Sequence, residues 1–229
     1  MIILSVHSTT PHLGVALTDG DAILAESILP ADRKHLENLP RLVSEALEIA
    51  GMGLEDVNAF AAALGPGSFS GVRIGLAAVK GFRLALKKPM VGVSSLEILA
   101  AQAAPDAQSI FPVIDAGRGQ VYAAFIESVY WNPLTSVEPV ALPIGDFPDY
   151  FRRLAHPSAV VCGDSIIERL GLESGQSDLR LVDIPKPSVC GFLARRRLAN
   201  SDVDDVFLLT PTYIRKSDAE EKKSLAVKS

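Results

Sequence analysis

The chain has 229 residues, of which 48% are hydrophobic and 21% are charged. That balance is typical of a folded globular protein rather than a disordered one, and the length suffices for one large domain or two small ones. A net charge of -5 argues against a protein that binds nucleic acid strongly by itself, because such proteins usually carry an excess of basic residues.

The cysteines and the N-terminus bear on where the protein works. Cys162 and Cys190 fit no metal-binding or disulfide pattern, so we expect buried thiols in a reducing compartment. The opening MIILSV lacks the basic stretch of a signal peptide, and apolar runs such as Ala59 to Leu64 are too short to span a membrane. We therefore expect a soluble, cytoplasmic protein without a membrane partner.

The first half of the chain alternates short apolar runs with helical periods. Asp19-Gly20 is a hairpin turn signal between two apolar runs, which predicts adjacent antiparallel strands. Gly51 follows the first helical period, as a helix-closing glycine does. The predicted elements are strands over residues 2–6, 13–17 and 22–29, a helix over 35–50, a strand over 57–64 and a helix over 72–86.

A similar order of elements recurs in the second half. These are strands over 110–114, 121–126 and 136–142, a helix over 147–154, a strand over 159–162 and helices over 166–170 and 189–199. At one constant offset, Val6 aligns with Ile114 and Leu13 with Val121, although apolar strands also match by coincidence. We expect two α/β lobes joined near residues 103–108, the first over 1–104 and the second over 105–229, with a frayed tail over 216–229.

The most informative stretch is the glycine segment, residues 65–75, with the sequence GPGSFSGVRIG. It follows a predicted strand and opens a predicted helix, where free N–H groups and the helix dipole favour an anion. It matches neither a Walker A loop, nor a dinucleotide fingerprint, nor a nucleophile elbow. Two interpretations stay open, a phosphate-binding loop or a tight turn whose glycines need positive φ.

Arg73 is placed by this pattern in the first turn of the helix, where a cation opposes the dipole. That unfavourable position predicts a carboxylate or phosphate partner for its guanidinium, within the chain or across an interface.

The glycine segment resembles the signature of the bacterial TsaB (YeaZ) family, usually written GPGSFTGLRIG, with Ser70 for Thr and Val72 for Leu. Further segments resemble other motifs of that family in order: residues 3–9 its ILxIDTS, 34–40 its RHSExLLP, 115–122 its DARMGEVY and 211–215 its PxYLR. The motif residues predicted to matter in the glycine segment are Gly65, Pro66, Gly67, Ser68, Phe69, Gly71, Arg73 and Gly75.

The resemblance implies the fold of actin, Hsp70 and sugar kinases (ASKHA), with two duplicated lobes that each hold a mixed sheet and helices. It implies a non-catalytic subunit required to form N6-threonylcarbamoyladenosine next to the anticodon of tRNAs that read codons starting with A. The transfer chemistry belongs to a paralogue, TsaD, with which TsaB-like chains form a heterodimer, and the ATPase TsaE drives turnover through the complex. The resemblance implies no cofactor, and tRNA contact only through the complex.

The alternative is an active enzyme of this fold, either an ATP-dependent phosphotransferase or an M22-like metallopeptidase, a label the family has also carried. TsaD-type chains bind metal through two histidines four residues apart, and no pair among His7, His12, His35 and His156 has that spacing. The family's usual Asp at the end of the first strand is His7 here, and a neutral imidazole is a poor ligand for magnesium. The second lobe keeps Asp115 at the equivalent point. We expect no catalytic residue and no metal; a homodimeric binding module independent of TsaD is a third possibility.

The helix predicted over residues 72–86 is apolar around nearly its whole circumference, and its small residues allow another helix to approach closely. It is either wedged inside the first lobe or forms a face between subunits. The resemblance favours the second interpretation, because TsaB chains pair through their first two helices, and it implies a homodimer when TsaD is absent. The predicted contact residues are Leu36, Leu39, Leu42, Val43, Leu76, Val79, Lys80 and Arg83.

Overall fold

The computed structural model describes residues 1–31, 34–129, 132–136, 138–154, 158–172, 175, 177–182 and 184–215. The predicted frayed tail over 216–229 lies outside these residues. Across the described part of the chain, no helix combines the length and the apolar character that crossing a membrane requires.

The first sheet has five strands, in the spatial order β3-β2-β1-β4-β5. Its strands are β1 (Ile2–His7), β2 (His12–Asp19), β3 (Ala22–Pro30), β4 (Ala59–Ala63) and β5 (Met90–Val93). The first three strands are antiparallel neighbours, as the turn at Asp19-Gly20 predicts, while β4 and β5 join in parallel. β5 was not predicted.

The second sheet repeats this arrangement. It holds β6 (Ser109–Gly117), β7 (Gln120–Ala123), β8 (Ile126–Val129), β9 (Asn132–Ser136), β10 (Val140–Pro143), β11 (Val160–Gly163) and β12 (Asp178–Leu181). Five of them follow the order β10-β7-β6-β11-β12, in which β6 has an antiparallel neighbour on one side and a parallel neighbour on the other, as β1 does. The repeated order confirms the predicted pair of duplicated lobes.

In the part of the chain that the structure describes, five α-helices cover the sheets: α1 (His35–Ala50), α2 (Phe69–Leu86), α3 (Ser95–Ala103), α4 (Phe147–Leu154) and α5 (Pro187–Ala199). α1 has the predicted bounds, and Gly51 closes it with a φ of 66°. α2 begins at Phe69, three residues before the predicted start, because the Ser68 side chain caps it by accepting a hydrogen bond from the Gly71 N–H. The predicted helix over 166–170 is a short 3₁₀ turn.

Two helices cross between the halves of the chain. α5 lies on the face of the first sheet opposite α1 and α2, where Cys190 and Ala194 pack against Ile3 and Ala61. α3 packs Leu96 against the strand β6 of the second sheet. The division of the chain at residue 104 stays a prediction, and helices from each side of it pack against the sheet of the other side.

Candidate functional site

A cleft of about 1460 Å³ lies between the two sheets, and most of the segments that carry the motifs line it. Its walls come from the connection between β1 and β2, the start of α1, the glycine segment, the turn between β6 and β7, and residues 212–215. Segments that are far apart in sequence therefore meet in one place.

The glycines of the glycine segment allow α2 to lie directly on the connection between β1 and β2. A Cβ atom on Gly67 would overlap the Thr9 carbonyl oxygen, and one on Gly71 would overlap the Ser8 carbonyl oxygen. Gly65 has a φ of 93°, which only glycine adopts readily. Close approach and positive φ thus explain these positions without a ligand.

Several polar groups of the same segment are hydrogen-bonded within the chain. The Ser68 N–H donates to the Thr9 carbonyl oxygen at 2.6 Å, and the Ser8 hydroxyl donates to the Gly71 carbonyl oxygen at 2.8 Å. The Gly65 carbonyl oxygen accepts a hydrogen bond from the Ser95 N–H at 2.8 Å. This geometry favours the tight turn over the phosphate-binding loop.

His7 ends β1 at the base of the cleft and is 1% exposed. Its Nε2 lies 3.1 Å from the Thr9 hydroxyl, which lies 2.8 Å from the Ser95 hydroxyl. The pKa of His7 is lowered to about 4, mainly by burial and in smaller part by the neighbouring His12 and His35. The imidazole is therefore neutral at pH 7.

Arg73 lies at the rim of the cleft, in the second turn of α2. Its Nε donates to the Tyr213 hydroxyl at 2.6 Å, and its guanidinium carbon lies 3.9 Å from the centre of the Phe69 ring. Within the described residues no carboxylate pairs with Arg73, and aromatic groups hold the side chain instead; a partner across an interface stays a prediction. The earlier start of α2 moves Arg73 away from the unfavourable end of the dipole, and the attraction of a cation to ring faces stabilises this arrangement.

Residues 211–215, here called the C-terminal strap, join the two lobes across the cleft. The Thr212 N–H donates to the Leu64 carbonyl oxygen at 2.8 Å in the first lobe. Arg215 donates to the Ala116 carbonyl oxygen at 3.2 Å and to the Gln120 side chain at 3.1 Å in the second lobe. Sequence reasoning found this segment only through its resemblance to a motif and did not connect it to Arg73.

The predicted partner-contact residues divide into two groups. Three of them are accessible: Leu36 is 70% exposed, and Lys80 and Arg83 are half-buried. The other five are 0–5% exposed because they pack between the helices and the first sheet, which corrects their assignment as contact residues: Leu39, Leu42, Val43, Leu76 and Val79.

The remaining histidines and the cysteines form no metal site within the described residues. Among the described residues, no group of three or more His, Cys, Asp or Glu side chains could hold a metal ion. His156 lies outside the described residues. Cys162 and Cys190 are buried thiols, and burial raises the pKa of both.

Two mixed sheets of matching strand order around a cleft define a two-lobed α/β protein of the ASKHA class. The structure of component A of (R)-2-hydroxyglutaryl-CoA dehydratase from Acidaminococcus fermentans shares this fold, with a TM-score of 0.52 and 11% identity over 87% of this chain and 99% of that one. YeaZ from Pseudomonas aeruginosa is more similar, with a TM-score of 0.78 and 26% identity over 93% of this chain and 99% of that one.

The sequence comparisons specify the family. Residues 23–140 match the family model described as TsaD: tRNA N6-adenosine threonylcarbamoyltransferase. The tRNA threonylcarbamoyladenosine biosynthesis protein TsaB of Bacillus subtilis is 30% identical, over 97% of this chain and 97% of its own. The chain belongs to the TsaB (YeaZ) family, which confirms the resemblance of its motifs.

Proposed function

We propose that this chain is a non-catalytic subunit in the formation of N6-threonylcarbamoyladenosine in tRNA, and that it acts by pairing with a TsaD-type transferase. One observation carries the proposal: the similarity to B. subtilis TsaB, a protein named for this pathway, extends over 97% of the chain. The match of residues 23–140 to the transferase model supports a partner of related sequence and fold.

The residues of the cleft support a role without catalysis. A magnesium nucleotide bound in the manner of this fold would need an oxygen ligand at the end of β1 and free amides in the glycine segment. The end of β1 instead carries the buried, neutral His7, and the Ser68 amide is bonded to Thr9. The side chains present do not fit that ligand.

The exposed face of α2 supports the pairing. Ala77 and Gly81 are exposed, and Leu84 is 48% exposed, so they form an apolar stripe beside Arg73. Leu36 on α1 adds a 70% exposed apolar side chain. We infer that this face contacts the transferase and that it joins two copies of the chain when the transferase is absent. The chain meets the TsaE-type ATPase and tRNA only within the complex.

Reconstitution tests the proposal. The purified chain is mixed with its cognate TsaD-type transferase, a TsaE-type ATPase, threonylcarbamoyl-adenylate, ATP and unmodified tRNA, and the modified nucleoside is measured by mass spectrometry. We expect modification only when the chain is present. Equal modification without the chain would contradict the proposal.

Calorimetry with magnesium-ATP tests the enzyme alternative on the isolated chain. We expect no tight binding and no hydrolysis. Turnover of ATP by the chain alone would favour an active phosphotransferase.

A further inference from the structure

Arg73 is held in one orientation by contacts on two sides of its guanidinium group. Its Nε donates a hydrogen bond to the Tyr213 hydroxyl at 2.6 Å, and its guanidinium carbon lies 3.9 Å from the centre of the Phe69 ring. The centres of the Phe69 and Tyr213 rings are 4.6 Å apart, so the three side chains pack against one another as one group. None of the described residues accepts a hydrogen bond from either Nη atom, and these two donors form the fork that matches a carboxylate or phosphate.

The charged side chains of α2 around this fork are all basic. α2 carries Arg73, Lys80 and Arg83 and has no acidic residue, although the whole chain has a net charge of -5. Within the described residues, no carboxylate forms an ion pair with any of the three. The outer face of α2 is therefore complementary to an acidic surface.

We infer that Phe69 and Tyr213 hold Arg73 as a preformed fork for a carboxylate of the TsaD-type partner, at one end of the stripe formed by Ala77, Gly81 and Leu84. This inference rests on the proposed function. A protein carboxylate is favoured over a nucleic-acid phosphate because the stripe beside the fork is apolar, and a phosphate backbone offers nothing to cover it. Lys80 lies two turns along α2, so a second acidic group of the partner would sit about 10 Å from the first.

Tyr213 is a positioning residue in this scheme. It belongs to the C-terminal strap, which donates hydrogen bonds to the Leu64 carbonyl oxygen in the first lobe and to the Ala116 carbonyl oxygen in the second. The strap thus fixes the hydroxyl that orients Arg73, and a side chain already fixed loses less conformational entropy when the partner binds.

Affinity for the transferase, measured by calorimetry with the full chain, tests the inference. Arg73→Lys keeps the charge but removes the fork, and we expect binding to weaken about tenfold. Tyr213→Phe keeps the ring and removes the hydroxyl, and we expect a smaller loss of about threefold. The double variant should bind like Arg73→Lys alone, because the hydroxyl acts only through Arg73.

The matched control is Arg152→Lys on α4, an exposed arginine that pairs with Asp149 in the second lobe. It should leave the affinity unchanged, and circular dichroism of each variant checks folding. Unchanged affinity for Arg73→Lys, or additive losses in the double variant, would overturn the inference while leaving the proposed function intact. Weaker binding of tRNA to the assembled complex with unchanged subunit affinity would assign the fork to a phosphate and overturn it too. Failure of the unsubstituted chain to bind the transferase would instead overturn the proposed function and the inference with it.

Discussion

Two glycines of α2 have opposite surroundings. A Cβ atom on Gly71 would overlap the Ser8 carbonyl oxygen, whereas one on Gly81 would meet no atom within 4 Å. We expect Gly71→Ala to lower the free energy of unfolding by about 2–4 kcal/mol, because the helix must move away from the first sheet.

Gly81→Ala should instead raise the free energy of unfolding by about 0.5–1 kcal/mol, because alanine favours a helix interior. Urea denaturation of both variants measures the difference. Equal effects would show that close approach to Ser8 does not constrain the glycine segment.

His7 predicts a dependence of stability on pH. Its pKa is about 4 in the folded protein against an ordinary 6.5, so between these values the unfolded chain takes up a proton that the folded protein does not. The contribution of His7 to the free energy of unfolding is therefore complete above about pH 6.5 and is lost as the pH is lowered towards 4. The contribution lost by pH 5 is about 2 kcal/mol.

His7→Gln removes this titration while keeping a polar side chain next to Thr9. Denaturation of both proteins at pH 7 and pH 5 isolates the contribution of His7 from those of His12, His35 and the acidic residues. We expect the variant to lose less stability than the parent between these pH values. Parallel losses would mean that His7 does not resist protonation in the folded state.

At the scale of elements, Arg197 holds the segment after α5 against the edge of the first sheet. Its guanidinium donates to the Gly92 carbonyl oxygen at 2.7 Å and to Asp204 at 3.0 Å. The hydrogen bonds that the guanidinium donates to the Asp202 carboxylate raise the pKa of Arg197. The Gly92 N–H in turn donates to Asp204 at 2.7 Å, so strand, helix and segment share one network.

Arg197→Met should release this segment. We expect faster hydrogen exchange at the amides of Asp204 and Thr212, and a loss of global stability of about 1–3 kcal/mol. Arg169→Met, at an exposed arginine of the second lobe, is the control. Unchanged exchange in the first variant would place the anchor of the segment elsewhere.

Turn residues and hydrophobic periodicity predict most of the helices and strands, but not which surfaces pack against them. The hairpin at Asp19-Gly20 and the helix closed by Gly51 follow from turn chemistry and period, and both are confirmed. β5 spans only four residues, too few for alternation to be recognised, and α3 follows directly behind it. Periodicity identifies an apolar face but not the surface against it, which is why Leu76 and Val79 were assigned to a partner although they face the first sheet.

The site was predicted in parts. Resemblance identified the glycine segment and the C-terminal strap as motifs, and the structure brings both to one cleft. The link from Arg73 to Tyr213 spans 140 residues, so no local signal could have revealed it. The early start of α2 depends on the Ser68 cap, a residue that also fitted the phosphate-binding interpretation.

At the scale of the whole molecule, the exposed stripe of α2 should decide assembly. Leu84→Glu places a charge on the proposed contact face, and we expect affinity for the transferase to fall at least about tenfold and the homodimer to dissociate. Leu179→Glu is a matched control, since Leu84 is 48% exposed and Leu179, on the second sheet, is 46% exposed. Calorimetry and light scattering measure both effects, and equal losses in the two variants would place the contact outside α2.

The position of α5 has a consequence for how the molecule is made. One face of the first sheet, with Ile3, Ala61 and Val91, is covered by Cys190 and Ala194. A ribosome that has synthesised the first five strands has therefore produced a sheet with one apolar face bare, and it stays bare until α5 has left the exit tunnel. A chain terminated before α5 would present that face to chaperones and proteases, so protection of the first sheet depends on a helix that is made more than 90 residues after its fifth strand.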